Sequence, residues 1–132
     1  MMMTDDGSSI TRIFRESASV RVFRGLRGLT TNELAQVGVV STKKTGAMSL
    51  GRPRIDRTGY WSTRASIALT YATTAAVTER SGTLMVVMIG TTTATPRGKI
   101  GAVEPGSIVT VTDVIWSDDV DELTRLVDGY DA

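Results

Sequence analysis

Two short segments of this sequence bring together residues able to do chemistry. The first, Val20-Arg21-Val22-Phe23-Arg24-Gly25, reads as a strand that delivers an arginine directly into a glycine. The second, Gly59-Tyr60-Trp61-Ser62-Thr63-Arg64-Ala65-Ser66, reads as a short aromatic strand that delivers a Ser-Thr pair into a helix. A guanidinium presents a planar fork of donors that suits phosphate and carboxylate oxygens. A glycine lets a ligand approach the backbone closely. At two neighbouring strand ends, an arginine and a hydroxyl pair flanked by aromatic rings make an anion-binding, ring-stacking cleft. Such a cleft suits a dinucleotide better than a protein groove.

Composition narrows the chemistry. The chain of 132 residues contains no histidine and no cysteine. This excludes Ser-His-Asp and Cys-His mechanisms, disulfides, thiolate metal sites and the usual catalytic zinc sites. Catalysis must then draw on carboxylates, hydroxyls, arginine, lysine or backbone amides, and no metal is expected. The lack of cysteine fits a cytoplasmic setting, or delivery into a target cytoplasm as an effector. No apolar run approaches the roughly 18 residues of a membrane span, so no membrane partner is expected. The net charge is only +1. Most cations nevertheless fall between Arg12 and Arg64, while the tail carries Asp113, Asp118, Asp119, Asp121, Glu122, Asp128 and Asp131. That asymmetry marks an anionic ligand, a nucleic acid, or two solvated patches of opposite sign. Sparse aromatic residues and near-neutral total charge place nucleic acid last.

The elements that must position these residues follow from local patterns. Residues 1–9 read as a flexible N-terminal arm without signal-peptide order, and 10–132 as a single domain. Residues 10–17 read as a short helix or an approach strand. Val20 to Phe23 is a predicted strand with Arg24-Gly25 at its exit. Thr30-Thr31-Asn32-Glu33 has capping-box spacing and opens a short helix through Leu34 to Val37, which Gly38 can end. Val39-Val40 reads as a brief strand. Residues 43–58 lack periodicity and read as a long loop. Tyr60 to Thr63 reads as a strand, and Thr63 as the cap of a helix running to about Glu79. Ala65, Ala68, Tyr71 or Ala72, and Ala75 or Ala76 give that helix a small-residue face suited to close packing on a sheet. Thr83 to Ile89 is continuously apolar, as a strand buried on both faces would be. Ser107 to Trp116 is a β-branched strand that partly alternates. Val120 to Val127 reads as a last acidic helix. The fold class is α+β, with a mixed or antiparallel sheet and a few short helices.

In this order of elements the chain resembles the ADP-ribosyltransferase superfamily, in its arginine-serine-glutamate branch. The likeness rests on Phe23-Arg24-Gly25, on Glu33-Leu34 with Gly38, on Tyr60-Trp61-Ser62-Thr63, and on Ala68 with Tyr71-Ala72. The segment Val103-Glu104-Pro105, with Val109 to Trp116, is similar to the ending of the small rifampin ADP-ribosyltransferases. The resemblance implies a small split-sheet fold and NAD as substrate. It implies nicotinamide–ribose cleavage, with ADP-ribose passed to an unidentified protein, nucleotide or small-molecule acceptor, or to water. The owner would be a toxin, an antibiotic-modifying enzyme or a phage effector. Residue by residue, it implies Arg24 on the phosphate or nicotinamide ribose and Gly25 beneath the nicotinamide amide. It puts Ser62 at the ribose, Thr63 holding the strand end, and Tyr60, Trp61 or Tyr71 stacked on the ring. A glutamate would stabilise the oxocarbenium-like transition state by position and charge, without a histidine.

The sequence departs from the branch at that glutamate. No Glu/Gln-x-Glu motif exists, and Glu104 is the only carboxylate in the stretch Arg97 to Gly106. The histidine that rifampin-modifying members use where Arg24 stands is also missing. The expected catalytic set is therefore Arg24, Ser62 and Glu104. The alternative is a module of the same fold that binds NAD, ADP-ribose or a protein partner without turnover. Each residue also has an ordinary structural role open to it. Arg24 can be an ion-pair partner, Gly25 a turn glycine and Ser62-Thr63 a helix cap. Tyr60 and Trp61 can be core residues, and Glu104 a turn residue before Pro105-Gly106.

Overall fold

The computed structural model describes residues 19–57, 59–74 and 83–131. The expectations for residues 1–17, and for the helix between 75 and Glu79, lie outside the described residues. The architecture is α+β. Four strands, β1 (Val20–Leu29), β2 (Thr45–Asp56), β3 (Leu84–Thr92) and β4 (Val109–Ser117), form one antiparallel sheet in the order β1-β3-β4-β2. Among the described residues, three short helices accompany it: α1 (Thr31–Leu34), continued by a 3-10 turn over Ala35–Val37, α2 (Ala65–Thr73) and α3 (Val120–Asp131). Among the described residues, no helix is long and apolar enough to cross a membrane.

The sheet is buried on both faces, and β3 shows why its sequence is continuously apolar. Its side chains alternate between two cores, since successive strand residues point to opposite faces. Leu84, Val86 and Met88 join Val22, Leu34, Trp61, Val103 and Trp116 on one face. Met85, Val87 and Ile89 join Phe23, the alanines of α2, and Leu123 and Val127 of α3 on the other. In β4 the alternation changes parity: Val109 and Val111 share a core with Val114 and Trp116. A bulge explains this. On β3, Ile89 pairs with Asp113 but its neighbour Gly90 pairs with Val111, so Thr112 is the extra residue. One inserted residue turns every later side chain over, which is why the sequence alternates only in part.

Four local readings need correction. The first strand does not end at Phe23. It continues to Leu29, so Arg24 and Gly25 lie inside it and pair with Met88 and Val87. Val39-Val40 is not a strand. The stretch read as a loop from Lys43 to Thr58 is mostly the edge strand β2, paired to β4 from Thr45 with Ser117 through to Asp56 with Val109. An edge strand needs only one bonded side and no apolar alternation, and it tolerates arginine and proline. Pro53 and its neighbours fall in the register shift between Ser49 and Arg54. Gly46 contributes by absence: a Cβ there would come within 2.6 Å of the Trp116 ring. Finally, Thr63 does not cap α2. The cap position is Arg64, whose backbone N–H donates to Ser62 Oγ at 3.0 Å.

Other local readings stand. Thr30 and Glu33 exchange both bonds of a capping box, at 3.1 and 2.8 Å. Gly38 closes the following turn at φ 98°. Ala65, Ala68 and Ala72 form the buried face of α2. That helix lies so close to β1 that a Cβ on Gly25 would fall 1.9 Å from the Ala68 carbonyl oxygen. Gly25 is therefore a packing requirement of the helix–strand contact, rather than a turn.

Candidate functional site

The segment Trp61–Thr63 lies beyond β1 and extends the sheet by a few residues. Phe23 and Ser62 exchange backbone bonds of 2.7 and 3.0 Å. On its other side, Thr63 N–H donates to the Gly101 carbonyl at 3.0 Å, and Val103 N–H to the Trp61 carbonyl at 2.9 Å. The backbone of Ser62 thus sits between the strand that carries Arg24 and the strand segment that runs into Glu104.

The side chains divide by face. Phe23, Gly25, Tyr60, Trp61 and Ser62 line one cleft of about 120 Å³, with Ile67, Ala68 and Tyr71 of the α2 region and with Ile100 and Ala102. Five residues expected to contact a nucleotide therefore border one cleft, Gly25, Tyr60, Trp61, Ser62 and Tyr71, but the Trp61 indole packs in the core on the other face of the sheet and bonds to Asp56. Among the described residues, the cleft lining carries no charge. Tyr60 and Tyr71 are 74% and 50% exposed, which leaves their rings available rather than committed to the core. Trp61 is buried.

Ser62 has little hydrogen-bonding capacity to spare. Its hydroxyl donates to the Ile100 carbonyl and accepts from the Arg64 N–H. One lone pair remains, so toward a ligand it can only accept. Thr63 does not line the cleft. Its side chain packs on Gly101, where a Cβ would fall 1.8 Å from Thr63 Oγ1, and Gly101 adopts φ 60°. Thr63 thus holds the segment that carries Ile100 and Ala102.

Arg24 faces the opposite side of the sheet from Gly25. Its Nη1 donates to Asp56 Oδ2 at 2.9 Å, and Trp61 Nε1 donates to the same oxygen at 2.7 Å. The pair is largely sheltered, with side chains 25% and 15% exposed. The guanidinium lies against Gly59, where a Cβ would approach it to 2.3 Å. Arg24 is thus the ion-pair partner of Asp56 and ties the 56–61 turn to β1. Asp56 is a residue that motif reading missed. The signal was present, because Asp56 is the only carboxylate between Glu33 and Glu79 and stands among six cations.

Glu104 lines neither this cleft nor the one around Arg24. It opens a turn in which Ser107 N–H donates to the Glu104 carbonyl at 3.1 Å and Gly106 takes φ 90°. Its side chain is 68% exposed and lies 3.9 Å from Arg97. Two other arginines stand nearer the cleft. Arg27 Nη1 donates to the Tyr71 carbonyl and Arg64 Nη1 to the Lys99 carbonyl, each at 3.1 Å and exposed.

Comparison with known proteins returned no matching family model, curated protein or solved structure.

Proposed function

We propose that this protein binds NAD, with the nicotinamide end in the Tyr60–Tyr71 cleft, as a small module of the ADP-ribosyltransferase kind. The observation that carries the reading is the convergence of Gly25, Tyr60, Trp61, Ser62 and Tyr71 on one uncharged cleft. Its size excludes a whole dinucleotide: a cavity of about 150 Å³ encloses benzene, and this open cleft of about 120 Å³ can seat part of one ring. The nicotinamide ring of NAD is cationic, and tyrosine rings attract cations. Among the described residues, no arginine or lysine lines the cleft to repel it. The diphosphate then lies outside, where Arg27 and Arg64 stand exposed beside cleft residues. This moves the phosphate role from Arg24, which is engaged with Asp56, to those two arginines.

Binding stands ahead of turnover, because the described residues that line the cleft include no carboxylate to stabilise an oxocarbenium ion. One observation favours transfer as the second reading. Glu104 follows the cleft residue Ala102 by two positions, and Ala102 is bridged to Ser62. Calorimetric titration with NAD tests the first reading. Saturable binding that free nicotinamide competes away is expected, and its absence would overturn it. An assay for nicotinamide release tests the second. Release that Glu104→Gln abolishes supports transfer, and NAD binding without release assigns the protein to the binding class.

A further inference from the structure

The sheet face opposite the Tyr60–Tyr71 cleft holds a separate cleft of about 170 Å³, lined by Arg24, Gln36, Arg54 and Asp56 over Met88 and Val111. We propose that this cleft is a binding site for a small organic carboxylate. Three observations support the assignment. First, Arg24 is a guanidinium with its side chain 25% exposed, and among the described residues only its Nη1 is matched to a protein acceptor, Asp56. A guanidinium carries five N–H donors, and donors held out of bulk water without acceptors are costly. The remaining donors are open to an acceptor that enters from the cleft.

Second, Arg54 adds a second guanidinium, which no carboxylate among the described residues pairs with. Its side chain is exposed and passes over Gly38, where a Cβ would lie 3.2 Å from Arg54 Cδ and 3.4 Å from its Nη1. Two guanidiniums against the single carboxylate of Asp56 leave one net positive charge, which matches a monoanion. Third, Met88 and Val111 give the cleft an apolar floor that inorganic phosphate would not use. A carboxylate on a small apolar body satisfies both the donors and the floor. The volume agrees, since about 150 Å³ accommodates a benzene ring.

The test uses the purified full chain, with benzoate and inorganic phosphate as separate probes at constant ionic strength. Trp61 is the reporter, because its indole N–H bonds to Asp56 beside the site. Saturable benzoate binding is expected, with a change in tryptophan emission and affinity at least tenfold above that for phosphate. Arg54→Ala, at an exposed position, should weaken benzoate at least tenfold and leave the thermal midpoint within a few degrees. Tyr71→Ala should leave benzoate unchanged, which separates this site from the NAD reading. The proposal is overturned if benzoate does not saturate, if phosphate binds as tightly, or if Tyr71→Ala and not Arg54→Ala removes binding.

Discussion

Asp56 organises the residues on which the site depends. Its carboxylate accepts from both the Arg24 guanidinium and the Trp61 indole, so it links β1 to the turn that carries Tyr60. Removing it strands two sheltered donors. Asp56→Ala should therefore cost about 2 kcal/mol in urea denaturation. Arg24→Ala removes the same interaction from the other side. A double-mutant cycle should show coupling of about 1 kcal/mol or more, and strict additivity would show that the ion pair does not tie the turn down. Gly25 gives a sharper prediction. A methyl 1.9 Å from the Ala68 carbonyl cannot be relieved by a side-chain rotation. Gly25→Ala should destabilise by at least about 2 kcal/mol or prevent folding, measured by the urea midpoint, while Gly51→Ala, with open space around it, should change little.

Elements were legible where local chemistry decides them. The Thr30–Glu33 capping box and Gly38 are readable because cap and turn geometries depend on neighbours in sequence. Thr30→Ala should cost about 1 kcal/mol, seen as a lowered thermal midpoint. The extent of β1 and the existence of β2 were not legible, because both depend on partners far along the chain. β1 runs past Gly25 because β3 pairs with it as far as Leu84. β2 forms because Trp116 fits over Gly46 and donates to the Lys43 carbonyl at 2.9 Å. The face on which a side chain emerges was equally hidden. Arg24 and Gly25 adjoin in sequence, and the pleat sends them to opposite sides of the sheet.

The end of α3 supplies a pH prediction at this same scale. Burial, and then the charge of Asp113, raise the Tyr130 phenol above its ordinary value of 10.0, and its hydroxyl donates to Asp113 at 3.3 Å. The folded state therefore holds this proton more tightly than the unfolded chain does. Its contribution is fully present below about pH 10 and is lost as pH rises through the folded value. Stability measured across pH 9 to 11 should fall, and Tyr130→Phe should flatten that fall. A fall of equal steepness in Tyr130→Phe would assign the effect to other groups.

At the scale of the whole molecule, one sheet separates two clefts with different chemistry. The Tyr60–Tyr71 side is apolar and uncharged, and the Arg24–Asp56 side is polar with one excess positive charge. The sequence pattern pointed to one cleft holding an arginine and hydroxyls together. The aromatic, glycine and serine residues do converge, whereas Arg24 belongs to the other side and Glu104 to an exposed turn. A motif specifies which residues are near one another along the chain, but only the pleat and the bulges decide which of them share a face. The proposal that nicotinamide enters between Tyr60 and Tyr71 is tested most directly by saturation-transfer difference NMR on NAD. The nicotinamide protons should receive stronger saturation than the adenine protons, and Tyr71→Ala should abolish that preference. Saturation centred on adenine, or none at all, would contradict it.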